Sequence, residues 1–142
     1  MQRIRNKPGE VWLEIFPGQY KLSNMGRWYS IRSQKILHQY KNSSGYYRAH
    51  LVVNGEKRRI FTHIEVVARF GDCNNNKIPL NGCLIANGLS IDHLDSNKRH
   101  NHFSNLEIVT HKENCLRREQ RRRCRIKAKE DCNDIVALAK GV

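Results

Sequence analysis

Along residues 10–37, EVWLEIFPGQYKLSNMGRWYSIRSQKIL, apolar and polar positions alternate in short bursts, broken at Pro17-Gly18, Ser23-Asn24 and Gly26. Alternation of period two, bounded by turn residues, predicts short β-strands joined tightly. The pattern sharpens in GYYRAHLVVNGEKRRIFTH, where Tyr47, Ala49, Leu51 and Val53 alternate with Arg48, His50 and Val52. Asn54-Gly55 then predicts a two-residue hairpin, because a type I′ turn needs positive φ at both central positions. The return strand runs from Glu56 to Thr62, with cations along it. At IEVVARF, residues 64–70, the period becomes helical. Ile64, Val67 and Ala68 share a face, and Gly71 can close the helix in the left-handed conformation.

Residues 72–82 read as loop. Residues 83–94, CLIANGLSIDHL, are apolar and β-prone but interrupted at Asn87-Gly88, giving one bent strand or two short ones. Residues 95–104 form a polar loop, and LEIVT, residues 106–110, a short strand. Thr110-His111-Lys112-Glu113 has the form of a capping box, in which the threonine hydroxyl accepts from the third N–H. The helix it opens meets no Gly or Pro before Gly141. The pattern as a whole predicts an α+β fold.

Charge changes this picture. The 142 residues hold 26 Lys+Arg against 13 Asp+Glu, a net charge of +13. Such an excess repels itself unless an anion is nearby; nucleic acid is the first candidate and an acidic membrane surface the second. Residues 112–129 carry nine Lys/Arg and two Glu, a local charge of +7. Arg117, Arg121 and Arg125 fall on one helical stripe and Arg118 and Arg122 on its neighbour. With only Glu113 and Glu119 to balance them, phosphate contact explains the run better than a solvated face. No apolar run approaches the ~18 residues of a membrane span, and the basic start lacks the apolar core of a secretion signal, so a cytoplasmic protein is expected. The five cysteines are odd in number and never spaced as CxxC, which points to free thiols and no zinc site.

The chemistry concentrates in SIDHLDSNKRHNHFSNLEIVTHKEN, residues 90–114. The strand–loop–strand–helix order can bring together Asp92, His93, Asn105 and Asn114. A carboxylate and an amide oxygen are hard ligands that suit Mg²⁺, or Mn²⁺ in its place, with waters and a phosphate oxygen completing the shell. His93, next to Asp92 on a strand, is expected to point the other way, face solvent and act as general base, since an unperturbed imidazole has a pKa of about 6.5. Asn105 is expected to bond backbone groups, hold the loop shut and so orient His93. Lys98 and Arg99 in the loop join the arginine stripes as candidate DNA contacts. His63 is read as a structural hydrogen-bonder, His100, His102 and His111 as lying in or near the DNA-facing loop, and Trp12, Tyr20 and Trp28 as core.

These residues also carry a resemblance. DHLDSNKRHNHFSNLEIVTHKEN resembles the motif of the HNH homing endonucleases of the ββα-metal fold, with Asp92-His93, Asp95, Asn97, Asn101, Asn105-Leu106, Val109-Thr110 and Glu113-Asn114 in register. Ile108 replaces a usual Trp and His100 a common Asn. The resemblance implies His93 as general base, Asp92 and Asn114 as holders of one divalent metal, Asn105 as the middle structural residue, and products bearing 5′-phosphate and 3′-hydroxyl. EVWLEIFPGQYKLSNMGRWYS is similar to the nuclease-associated modular domain through Glu10, Trp12, Ile15, Tyr20, Ser23-Asn24, Gly26 and Ser30. THIEVVARF resembles the helix between the two modules through His63 and Phe70.

The expected organisation is a β-rich nuclease-associated module over residues 1–45, an HNH nuclease domain over 46–118 and a basic helical extension over 119–142. EDCNDIVALAKGV, residues 130–142, looks like the opening of a helix that begins a helix-turn-helix, and with the sequence stopping at Val142 the specificity module is expected to be absent, shortened or supplied by the upstream β region. The function expected is a metal-dependent endonuclease of phage or mobile-element type, working in the host cytoplasm on double-stranded DNA as a monomer or weak dimer. The alternatives are a DNA-binding protein that keeps the fold without the reaction and, more weakly, an RNA-binding module.

Overall fold

The computed structural model describes residues 4–71 and 88–141. The expected loop at 72–82, the first part of the 83–94 stretch, Cys73 and Cys83 lie outside the described residues.

Strands β1 (Trp12–Ile15), β2 (Tyr20–Ser23), β3 (Trp28–Ser30) and β4 (Lys35–Ile36) form an antiparallel meander in sequence order. Its inner face buries Ile15, Leu22 and Trp28, which are at most 1% exposed. Trp28 can be buried because its Nε1 donates to Thr62 Oγ1 at 3.1 Å. Trp12 and Tyr20, also expected in the core, are only half-buried. The Tyr20 hydroxyl accepts from Val52 N and donates to Val52 O, which stitches the first sheet to the second. The guanidinium of Arg27 stacks over Trp12.

Strands β5 (Tyr40–Lys41), β6 (Tyr47–Val53) and β7 (Glu56–Phe61) make the second sheet. Asn54 and Gly55 have φ of 51° and 82°, as a type I′ turn demands, and the register closes at Val53↔Glu56. Alternation then buries Ala49, Leu51 and Val53 and exposes His50 and Val52.

Helix α1 (Thr62–Phe70) buries Thr62, His63, Val66 and Val67. The buried face is therefore rotated from the one that Ile64, Val67 and Ala68 would mark, because Thr62 and His63 are drawn in by polar and ring contacts that a hydrophobic period cannot register. Gly71 stops the helix at φ 77°, ψ −175°. That is outside the left-handed helical region expected, in a conformation open essentially to glycine alone.

Strands β8 (Leu89–His93) and β9 (Leu106–Thr110) pair antiparallel, with Ile91↔Ile108 and Asp92↔Glu107 in register, and a 3₁₀ turn (Phe103–Asn105) precedes β9. Helix α2 (His111–Lys140) starts at Thr110, whose hydroxyl accepts from Glu113 N at 3.1 Å. It is continuous to Gly141, and residues 130–140 continue the same helix. Its first turns meet the β8–β9 hairpin, and its residues beyond Arg121 are exposed. Among the described residues no helix is long and apolar enough to cross a membrane.

One hydrophobic cluster joins Ile15, Leu22 and Trp28 of the first sheet to Leu51 of the second, Val66 and Val67 of α1, and Ile91, Leu106 and Ile108 of the hairpin. This shared core seats the β8–β9–α2 unit against the upstream sheets.

Candidate active site

Asp92 and His93 end β8, and both are 4% exposed. Alternation along a strand would send them to opposite sides. Both nonetheless line one cleft of about 510 Å³, together with Asn114 from the first turns of α2. The chain turns after His93, whose carbonyl accepts from Ser96 N at 2.8 Å. The expectation of a solvent-facing imidazole is thus corrected: His93 reaches solvent only through the cleft. Burial pulls its pKa below the usual imidazole value, against the raising effect of its bond to Asn101.

The side chains around Asp92 are arranged for charge. The register sets Asp92 beside Glu107, a repulsive cross-strand pair. Arg117 resolves it by donating to Asp92 Oδ2 at 3.1 Å, to Glu107 Oε2, and to Glu113 Oε1 at 2.9 Å. Arg121 donates to both Asp92 oxygens, at 2.8 and 2.9 Å. Burial raises the pKa of Asp92, but Arg121 and Arg117 outweigh it and hold the carboxyl below its ordinary value. Two arginines read from sequence as phosphate contacts are therefore occupied by carboxylates. Charge balance along the helix alone missed them because Asp92 and Glu107 come from the hairpin.

A carboxylate and an amide oxygen are donor types that a hard divalent cation accepts. A carboxylate oxygen has about two acceptor positions, and Asp92 Oδ1 accepts from Arg121 Nη1 among the described contacts. Asn114 donates its Nδ2 to Ser90 Oγ at 3.0 Å, which leaves the amide oxygen as the end that a cation can use. Among the described residues no group of three or more His, Cys, Asp or Glu gathers as a metal cluster; the set here is one carboxylate and one amide.

Asn105 sits outside the cleft lining. Its Oδ1 accepts from Asp95 N at 3.1 Å, and its Nδ2 donates to Asp95 Oδ1 and to the His100 carbonyl, at 2.9 and 2.8 Å. Its own carbonyl accepts from Leu94 N. Asp95 also bonds His100 Nδ1, and its pKa is lowered to about 2 as these bonds overcome burial.

Of the expected DNA contacts, Lys98, Arg118, Arg121, Arg122 and Arg125 line the cleft, whereas Arg99 is exposed in the loop and Arg117 lies outside the lining. Lys98 is anchored, its Nζ donating to Ser44 O at 2.7 Å and lying 4.4 Å from the Tyr46 ring centroid. Three neighbours take places by the site that the sequence did not assign them. Tyr46 lines the cleft and stacks on His63 at 4.8 Å. His63 lies 5.5 Å from His93, and its buried Nδ1 has no hydrogen-bond partner among the described residues, unlike the satisfied histidine expected. Burial lowers its pKa to about 3, so it is neutral. Asn101 bonds His93 directly at 2.8 Å; its place in the motif was the one available signal.

No family model matches the chain. It is similar to DNA endonuclease I-HmuI of Bacillus phage SP01, with 34% identity over 105 residues, 72% of this chain and 54% of that protein. The chain thus spans about half the length of this curated relative. A solved structure of the HNH homing endonuclease I-HmuI, concerned with DNA binding and cleavage, superposes with a TM-score of 0.64 and 33% identity over 78% of this chain and 59% of that one.

Proposed function

We propose that the chain, which is similar in sequence and fold to an HNH homing endonuclease, is a divalent-metal-dependent endonuclease that nicks or cleaves double-stranded DNA. The observation that carries the reading is the shared cleft: Asp92 and His93 at the end of β8 and Asn114, more distant along the chain in α2, open onto it beside Lys98, Arg118, Arg122 and Arg125.

The cations bind the phosphodiester backbone, which gives affinity with little sequence preference. The carboxylate of Asp92 and the amide oxygen of Asn114 are the groups that would hold one Mg²⁺ or Mn²⁺ ion, which would supply neutralisation of the charge on the scissile phosphate and the leaving oxygen. Arg121 and Arg117 keep Asp92 ionised. His93, buried and neutral, takes a proton from the attacking water. Asn105 holds the loop after β8 closed and so fixes the path of the chain at His93. One such site among the described residues makes nicking the elementary event.

Plasmid nicking with Mg²⁺ or Mn²⁺, native protein against His93→Ala, tests this. The variant is expected to lose cutting and keep duplex binding in a gel-shift assay. The rival reading, a DNA-binding protein without the reaction, draws on the two bonds from Arg121 to Asp92. It is the correct one if native protein binds duplex DNA and cuts it under no divalent metal.

A further inference from the structure

We propose that Asn101 is the positioning residue of His93, fixing which ring nitrogen is protonated, and that the N-terminal sheet holds Asn101 in place. The proposal rests on the reading of His93 as the base, and it adds the residue that prepares that base.

His93 Nε2 lies 2.8 Å from Asn101 Oδ1, and the two residues are 4% and 3% exposed. An amide oxygen only accepts, so in this contact Nε2 carries the hydrogen and, in the neutral imidazole, Nδ1 keeps the lone pair. A general base needs that lone pair on a known nitrogen, aimed in a known direction. Asn105 does not supply this constraint: its amide is committed to Asp95 and to the His100 carbonyl.

Asn101 is held from outside its own loop. Gly26, in the turn between β2 and β3, lies so close that a Cβ there would stand 2.7 Å from Asn101 Cβ and 3.1 Å from its carbonyl oxygen. The same turn receives Phe103 N at Asn24 O, 2.8 Å. The Gly26 carbonyl accepts from Gln39 Nε2 at 2.7 Å, Gln39 Oε1 accepts from the Thr62 hydroxyl, and Thr62 Oγ1 accepts from Trp28 Nε1 at 3.1 Å. A chain of polar contacts thus runs from the core of the first sheet to the backbone on which Asn101 rests. The upstream module is part of the scaffold of the reacting histidine.

The test uses the full chain with ¹⁵N-labelled histidine. Long-range ¹⁵N–¹H correlations report which nitrogen of His93 is protonated, with the signal assigned against His93→Gln. Native protein and Asn101→Asp, which keeps an acceptor oxygen, are expected to show the Nε2–H form. Asn101→Leu, of similar shape without an acceptor, is expected to lose that preference. In nicking assays Asn101→Leu should lower kcat on the order of 10²-fold with KM for DNA unchanged, the scale of a general-base contribution, and Asn101→Asp should recover most of the loss. An unchanged Nε2–H form and unchanged kcat in Asn101→Leu overturn the proposal. Should Asn101→Leu fail to fold, native protein or Asn101→Asp showing the Nδ1–H form overturns it equally. Native protein that shows Nε2–H but never cuts DNA refutes the nuclease reading and leaves the positioning role standing; native protein that cuts while His93 shows Nδ1–H does the reverse.

Discussion

Replacing Arg117 with Met should destabilise the fold by about 2–3 kcal/mol, and the loss should depend on pH. Arg117 joins three carboxylates: Asp92 and Glu107 on adjacent strands, and Glu113 on its own helix. The side chains of Asp92 and Glu107 are 4% and 19% exposed, against 47% for Glu113. A hydrogen bond to a charged group contributes about 1.5–3 kcal/mol when shielded, whereas an exposed helical pair adds about 0.3–0.5 kcal/mol. Arg121 still serves Asp92 in the variant, so the loss falls mainly on Glu107 and on the restored repulsion across the hairpin. For a chain of this size the estimate corresponds to a melting temperature lower by about 6–9 °C. Burial raises the pKa of Asp92, but Arg121 and Arg117 hold it below its unfolded value. A depressed carboxyl contributes stability that is complete above the unfolded value of about 4 and is lost as pH falls through the folded value. Thermal melts by circular dichroism should therefore show a full gap between native and Arg117→Met proteins at neutral pH, narrowing by the part that Arg117 contributes to Asp92 as pH falls through that group's lowered value. Coincident melts at neutral pH, or a gap of constant width, would refute the bridging role of Arg117.

Two further outcomes follow from other parts of the molecule. Gly26→Ala forces a side chain onto a backbone at φ 77° and against Asn101, which should cost about 2–4 kcal/mol from backbone strain and overpacking together; a urea midpoint equal to that of the native protein would show that the two segments do not meet. Arg118 and Arg125 line the cleft, and among the described residues neither has an ion pair. Replacing both with Ala should lower the slope of log K against log salt for duplex binding by about 2, and an unaltered slope would place the phosphates elsewhere.

The second hairpin was legible because a two-residue Asn-Gly turn between alternating strands leaves the backbone little choice, and the observed register closes around Asn54 and Gly55. The start of α2 was legible for a similar reason, since Thr110 caps through its own local hydroxyl. The buried face of α1 was not, because Thr62 is drawn inward by Trp28 and Gln39, both more than twenty residues upstream. Nor was the state of Arg117 and Arg121. A helix read by itself shows seven surplus cations, and only the hairpin packed beside it supplies Asp92 and Glu107 to receive two of them.

The chain by itself determined an α+β architecture, a hairpin–helix motif bearing Asp92, His93, Asn105 and Asn114 at set intervals, and an excess of positive charge. These are properties of local backbone preference, periodicity and composition, and they need no knowledge of what lies across the fold. Tertiary structure alone decided which nitrogen of His93 meets an acceptor, which arginines are spent on carboxylates and which line the cleft, and that a glycine turn near the N-terminus touches the loop beside the site. Contacts of that kind join residues tens of positions apart in a shared, tightly packed core, where distance in space is unrelated to distance along the chain.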